Sequence, residues 1–534
     1  MIDPVPPAFQ LTRRNFLGQA LGAGALVGLG SLSARGAGAE PSAPAPGTNV
    51  APTGPIPTNG DEVRYAANHI GNFAKSLPHD ELGCVTPQSY ELLVKALDEG
   101  PNADFERLAL SGRFRLANPQ AAYALALEGY DPRAFVTPPP PAFSSAETAA
   151  ETVELYWQAL LRDVPFAHYG DHPLVKSAAE ELSRLPAFTG PRVGGKVTPG
   201  TLFRGNTPGD LMGPYLSQFL LRDVPYGATK IVQRYKVPVA GDDHMTRYDA
   251  WLESQRGYFS KEASPFDPQP RHIRSGREVG EFVRRDFCNQ AFLNATLILL
   301  GEPYPAKTFR APFAAGHPYV DSDTQTAFAT FGGPWVVDLA TRVCNLALKA
   351  VWYDKWLVHR RARPEEFCGH LHNHLLKKAE YPIHGDLLAS EALQRSHEKF
   401  GSWLLPLAYP DGCPIHPSYP AGHAVAGGSG ITVLKALFDV SCVFSRPVEP
   451  APDGLSLQPY HGPPLTVGGE LNKLAANIIF ARNFTGIHYR SDAWAGLLQG
   501  EAVALEFLRR QRAICPEKFR PWRITTFSGR QVEV

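Results

Sequence analysis

Apolar residues recur three and four positions apart in segment after segment of this chain, and Pro- or Gly-rich runs separate the segments. Tyr90-Leu92-Leu93-Ala96-Leu97 and Ala149-Val153-Tyr156-Trp157-Leu160 show the pattern, which places one apolar stripe along a helix. Phe328 to Trp356, Leu387 to Phe400, Ala424 to Phe438, Leu471 to Phe480 and Ala493 to Arg509 repeat it. Alternating strand patterns are few and short, as in Lys230-Ile231-Val232-Gln233. With 50 prolines and 48 glycines in 534 residues, the helices must be joined by long loops such as Pro138-Pro139-Pro140-Pro141 and Pro447-Val448-Glu449-Pro450. The expectation is an all-α fold: one large helical-bundle domain over residues 61–534 with long Pro/Gly-rich loops. A hydrophobic content of 44% suffices for a large core and excludes wholesale disorder. Fifty-two basic residues balance 52 acidic ones, so no global basic field exists and a nucleic-acid partner is not expected.

The N-terminus reads as an address. Arg13-Arg14-Asn15-Phe16-Leu17 precedes a mild Gly/Ala/Leu run, and Ala37-Gly38-Ala39 supplies small residues for cleavage before Glu40. Residues 1–39 are expected to be a Tat-type signal peptide, and residues 40–60, rich in Pro, Ala and Gly, a linker. The competing reading is a short membrane anchor, against which stand five glycines and Gln19. No later stretch is apolar for a full span, so no stable membrane anchor should remain after cleavage, and the protein should be periplasmic or secreted. Cleavage would remove Arg13, Arg14, Arg35 and Asp3 and leave a slightly acidic chain. Seven scattered cysteines contain no Cys-x-x-Cys pair, which disfavours a zinc ribbon; their pairing stays open.

Three motifs carry chemistry suited to an anion. In Lys355-Trp356-Leu357-Val358-His359-Arg360-Arg361-Ala362-Arg363-Pro364, Lys355 and Arg363 stand eight apart, which on a continuous helix is about two turns and one face. Pro364 discourages helix at Arg363 and suggests that the helix ends there. Taken alone, such a run fits a solvated helix face. In His416-Pro417-Ser418-Tyr419-Pro420-Ala421-Gly422-His423, two prolines and a glycine lead into an apolar helix. That delivers backbone N–H groups at a helix N-terminus, and His423 could share a proton with a bound oxyanion. In Arg482-Asn483-Phe484-Thr485-Gly486-Ile487-His488-Tyr489-Arg490-Ser491-Asp492, Asp492 lies four beyond His488. On a helix it could accept one ring N–H and turn the other nitrogen outward. Arg482 adds a fork of donors.

Together, Lys-x7-Arg-Pro, Pro-Ala-Gly-His and Arg-x5-His-x3-Asp resemble the vanadium-dependent haloperoxidases and their relatives, the type 2 phosphatidic acid phosphatases and bacterial acid phosphatases. Trp352-Tyr353-Asp354-Lys355-Trp356 and His416, seven before His423, are similar to the bromoperoxidase branch. So are Glu154-Leu155-Tyr156-Trp157, Arg162-Asp163-Val164-Pro165-Phe166, Phe203-Arg204-Gly205 and Gly213-Pro214-Tyr215-Leu216, so the resemblance spans most of residues 61–513.

The resemblance implies one vanadate per subunit, with His488 as the nitrogen ligand of vanadium. Lys355, Arg363, Gly422, His423 and Arg482 would hold its oxygens. It implies hydrogen peroxide, a halide (bromide foremost, iodide also) and a small organic acceptor as partners, within a homo-oligomer. Vanadium would act as a Lewis acid without changing oxidation state, Lys355 would polarise a peroxide oxygen, and His423 would serve as general acid/base. Asp492 would orient His488, and His416 and Trp352 would face the halide. The family usually has Ser where this chain has Ala421, which removes a hydroxyl worth roughly 1.5–3 kcal/mol as a hydrogen bond to a charged group. Asp321 and Asp323 fall where red-algal relatives carry a structural calcium, although Asp323 or Thr324 could equally cap the next helix. Two rival functions use the same residues: an exported acid phosphatase with His488 as nucleophile, and a catalytically decayed oxyanion-binding protein.

Overall fold

The computed structural model describes residues 54–125, 130–258, 264–301 and 311–534, all within the contact unit Asn49–Val534. The expected signal segment (1–39) and most of the expected linker (40–60) lie outside the described residues. Fourteen α-helices occur among those described. The first half supplies α1 (Asp61–Arg64), α2 (Pro87–Glu99), α3 (Ala146–Leu161), α4 (Pro173–Arg184), α5 (Tyr248–Gln255), α6 (Gly276–Arg285) and α7 (Gln290–Leu300). The second half supplies α8 (Gly333–Tyr353), α9 (Pro364–Leu375), α10 (Gly385–Leu388), α11 (Glu391–Phe400), α12 (Gly422–Leu437), α13 (Val467–Phe484) and α14 (Arg490–Ile514). Among the described residues, strand is confined to three antiparallel pairs, each strand three residues long. These are β1 (Val224–Tyr226) with β2 (Thr229–Ile231), β3 (Val448–Pro450) with β4 (Leu457–Pro459), and β5 (Arg523–Thr525) with β6 (Gln531–Glu533).

The periodic segments of the sequence fold mainly as helices, although Phe328–Gly332 stays outside α8 and Leu387–Phe400 is split between α10 and α11, with starts set by local chemistry. Ser145 and Thr466 cap α3 and α13 by accepting from Thr148 N and Gly469 N at 3.2 and 3.1 Å. The main core surrounds α12, which packs on α8, α13 and α14 and is buried along its length apart from His423. A second core joins α3, α4, α9 and α11 through Tyr156, Trp157, Leu182, Leu371 and Leu393. No helix among the described residues is long and apolar enough to cross a membrane. All seven cysteines are free thiols.

Glycine lets α12 and α14 meet backbone to backbone. A Cβ on Gly428 would stand 2.0 Å from the Leu497 carbonyl oxygen, and one on Gly500 would stand 2.2 Å from that of Val425. A Cβ on Gly496 would stand 2.6 Å from the Ala421 carbonyl oxygen. Both helices begin at the same end of the bundle, as the hydrogen bond from Ala421 N to Asp492 O (2.9 Å) shows.

Two sequence expectations are corrected. The helix carrying Lys355 does not run on to Arg363. α8 passes into a π-helical turn, Asp354–His359, and ends at Arg360, whose backbone is left-handed (φ 42°, ψ 36°). The turn is pinned by Asp354 Oδ2, which accepts from Thr137 N, Thr137 Oγ1 and Gln499 Nε2 at 2.8–3.0 Å. Likewise, neither Asp323 nor Thr324 caps a helix, because α8 starts at Gly333 with Gly332 at its N-cap.

Past Arg360 the chain is held by a strap from the N-terminal side. Phe73 N donates to Arg360 O (2.7 Å) and Ala362 N donates to Gly71 O (3.0 Å). Glu366 accepts from Ala74 N through one oxygen and from Arg363 N through the other, at 2.8 and 2.7 Å. Arg363 is thereby fixed, extended, at the N-cap of α9.

Candidate active site: an oxyanion cage at three helix starts

Arg363 precedes α9, Gly422 opens α12 and His488 sits two residues before α14, so three helix N-termini meet here. Each brings the partial positive charge of a helix start. Lys355 reaches the same place from the π turn, which turns its side chain inward. Its ammonium donates to Pro417 O (2.7 Å) and Ser418 O (2.8 Å) and is wholly buried. Burial, with Arg363 adding repulsion, holds it well below the usual lysine range.

Arg363 links the motifs. Its Nη1 donates to Ile487 O (2.9 Å) and stands 3.0 Å from His488 Nε2. Its Nε donates to His416 O, and Nη2 lies 3.0 Å from His416 Nδ1. Burial pushes this guanidinium down to about 10. Arg482 is buried at the end of α13 over the Tyr409 ring (5.5 Å), and its Nε has no partner among the described residues.

His488 does not lie on a helix with Asp492, as the sequence suggested. The four-residue spacing works because Asp492 is the third residue of α14 and its carboxylate reaches back over the N-cap. Asp492 Oδ2 accepts from His488 Nδ1 (3.0 Å), Tyr489 N (3.0 Å) and Ser418 Oγ (2.5 Å), while Oδ1 takes Arg361 Nη1 (2.8 Å). Burial opposes the charge of Asp492, but Arg361, His488 and Ser418 outweigh it and hold the carboxyl well below its usual range. A carboxylate on Nδ1 assigns the proton there and leaves the lone pair on Nε2. Burial, then Arg363, keeps His488 neutral far below the usual imidazole range. His416 is lowered in the same way, by burial and by Arg363, Lys355 and His488.

His423 is the second residue of α12 and is 19% exposed, with Nε2 held 2.9 Å from Asp286 Oδ1. Trp352 packs its ring 5.0 Å from that of His416 and donates from Nε1 to Ala117 O. The Trp352 ring also lies 3.7 Å from where a Gly422 side chain would begin. Asp321 and Asp323 stand exposed in a turn. Among the described residues no group of three or more His, Cys, Asp or Glu could hold a metal ion. Asp286, Tyr409 and Arg361 were not singled out from the sequence. Asp286 lies 137 positions from His423, and no spacing rule joins them.

The donor set suits a compact, multiply charged oxyanion: three buried cations, an unpartnered N–H on Arg482 and the first turn of α12. The neighbouring carboxylates, Asp492 and Asp286, are engaged on the histidines rather than on the cations. In this helical fold the site is suited to an oxyanion beside a histidine braced by a carboxylate.

No protein-family model matches the chain. Among curated proteins it is 31% identical to a vanadium-dependent bromoperoxidase of Corallina pilulifera, over 89% of this chain and 94% of that protein. It is 32% identical to that of Corallina officinalis, over 90% and 92%, and 35% identical to that of Ascophyllum nodosum, over 85% and 84%. A solved homohexameric vanadate-dependent bromoperoxidase, the second from Ascophyllum nodosum, superposes with a TM-score of 0.82 at 29% identity. That match covers 89% of this chain and 86% of the other. The chain belongs to the vanadium-dependent bromoperoxidase family.

Ala421 is the N-cap of α12 and offers no side-chain cap. Ala421→Ser should stabilise the fold by about 1 kcal/mol through a restored cap. It should also tighten orthovanadate binding if the hydroxyl instead turns to the oxyanion. Urea unfolding with and without orthovanadate separates the two effects.

Proposed function

We propose that this protein is an exported vanadium-dependent haloperoxidase that uses hydrogen peroxide to oxidise bromide, and iodide, to hypohalous acid, which halogenates a small organic acceptor. The observation that carries the reading is Asp492 on His488 Nδ1, which leaves the ring's lone pair on Nε2, beside Arg363 Nη1 and among three buried cations, where it would bind a metal. Vanadate bound there would supply a Lewis-acidic centre that makes peroxide electrophilic toward halide. Lys355, Arg363 and Arg482 would neutralise its oxygens, and Gly422 N–H with the His423 side chain would add hydrogen bonds. The overall reaction, hydrogen peroxide plus bromide plus one proton giving hypobromous acid and water, needs a proton at the cage. His423, oriented by Asp286 and partly open to solvent, is placed to deliver it. His416 and Trp352, ring against ring, offer an apolar edge for the halide.

Residues 61–534 would form the catalytic domain behind a Tat-type signal (1–39) and a linker (40–60). The twin Arg13-Arg14 and the small residues before Glu40 support this reading and a periplasmic or secreted location. The hexameric Ascophyllum relative supports a homo-oligomer. A structural calcium at Asp321 and Asp323 has no support beyond the oxygen-rich sequence.

Peroxide-dependent bromination by the vanadate-free protein should be negligible and should rise to a plateau at one orthovanadate per subunit. Phosphate-ester hydrolysis with no bromination would instead make the protein a phosphatase with His488 as nucleophile. Orthovanadate binding with neither activity would make it a decayed oxyanion binder.

A further inference from the structure

Three arginines in the segment 360–363 do three different things. Arg360 pairs with Glu62 and locks the strap, and Arg363 enters the cage. Arg361 touches no cage atom directly. It is 5% exposed and spends its whole fork on the first turn of α14 and what surrounds it.

Its Nη1 donates to Ser491 Oγ and Asp492 Oδ1, each at 2.8 Å. Its Nη2 faces Glu151 Oε2 (3.4 Å) and Thr148 Oγ1 (3.5 Å), and its plane lies 4.0 Å over the Tyr489 ring. Glu151, from α3, holds Ser491 in turn, accepting from its N at 2.6 Å and its Oγ at 2.9 Å. Apart from Thr148, these side-chain contacts bear on the four residues that follow His488 or on the carboxylate that grips them.

We infer that Arg361 is a positioning residue that fixes the rotation of the Asp492 carboxylate and, through it, the tautomer and direction of the His488 ring. The terminal torsion of an aspartate is soft and nearly two-fold, so a carboxylate held through one oxygen can turn. Oδ2 already serves Ser418, Tyr489 N and His488, and Arg361 is the brace on Oδ1. With that brace in place, Oδ2 stays on His488 Nδ1, the ring keeps its proton there and Nε2 points into the cage. Without it, the ring can turn and present either nitrogen. Outer-shell partners of this sort typically change metal affinity 10–100-fold.

This inference rests on the proposed vanadate role of His488, so its test reads the ring before any vanadate is added. In protein labelled with 15N-histidine, with the His488 signals assigned by their loss in His488→Gln, wild type should show a single Nδ1–H tautomer. Arg361→Met should show a mixture of tautomers and bind orthovanadate 10–100-fold more weakly. Arg361→Lys, which keeps the charge but loses the fork, should fall between the two and remains readable if the Met variant does not fold. A lowered thermal midpoint with unchanged tautomer and unchanged orthovanadate affinity in either folded variant would make Arg361 purely structural and overturn the inference. If wild type binds no orthovanadate, the haloperoxidase reading fails, while the tautomer comparison still decides the role of Arg361.

Discussion

His488→Ala should abolish vanadate-dependent bromination while leaving the fold intact. His488 is buried, but its ring is bordered by polar partners, Arg363, Asp492 and Ser418, rather than by the apolar core. Its loss opens a small polar hole that water can fill, and stability should change little. Activity is different, because Nε2 of this neutral, Asp492-braced ring faces the cage cations and is the nitrogen that would bind vanadium. Changing a group that only orients a metal ligand costs roughly 10–100-fold, so removing the ligand itself should cost more. The measurements are peroxide-dependent bromination at saturating orthovanadate and orthovanadate affinity by titration. Full activity in a folded His488→Ala protein would refute the ligand assignment.

Gly428→Ala should damage the protein from the opposite direction, through packing. One methyl group at this position must fit 2.0 Å from the Leu497 carbonyl oxygen, a main-chain atom in the 25-residue α14. Neither helix can yield by changing a rotamer, so α12 and α14 must separate. Overpacking of a well-filled core costs about 1–3 kcal/mol, and a backbone obstacle puts this site at the upper end. Because both helices start at the cage, the displacement should also reach Gly422 and Asp492 and weaken orthovanadate binding. A thermal melt and an orthovanadate titration of the same sample test both effects. An unchanged midpoint would show that the interface relaxes in a way its geometry does not suggest.

Much of this site could be read from the chain. The motifs around Lys355, Gly422 and His488 name the main cage residues because each motif is local: a short spacing, a helix start, a proline. What spacing cannot reveal is how a segment ends or what faces it. Lys355 and Arg363 look like neighbours on one helix, yet a π turn and the left-handed Arg360 intervene. Apolar periodicity continues through such a turn, so the break leaves no trace in the pattern. Asp286, Tyr409 and Arg361 act on residues brought near only by tertiary folding, and each looks like an ordinary surface or core side chain in its own stretch. The small β pairs and the exposed turn at Asp321 have the same cause: loop composition records polarity but not partners.

The strap across Arg360–Arg363 also decides where this chain can be shortened. Residues 54–58 are mostly exposed and contribute no cage contact, whereas Asn59 already holds Asp61 through its side chain. From Asp61 onward the situation changes, since Asp61 accepts from Phe143 N and Glu62 pairs with Arg360. A cut beyond Ala74 would strip the main-chain partners of Arg360 and Ala362 and the Ala74 N–H from Glu366, leaving the Arg363 turn without its outer wall. A stretch that supplies no reactive group is thus as indispensable to the cage as the residues that would hold the oxyanion.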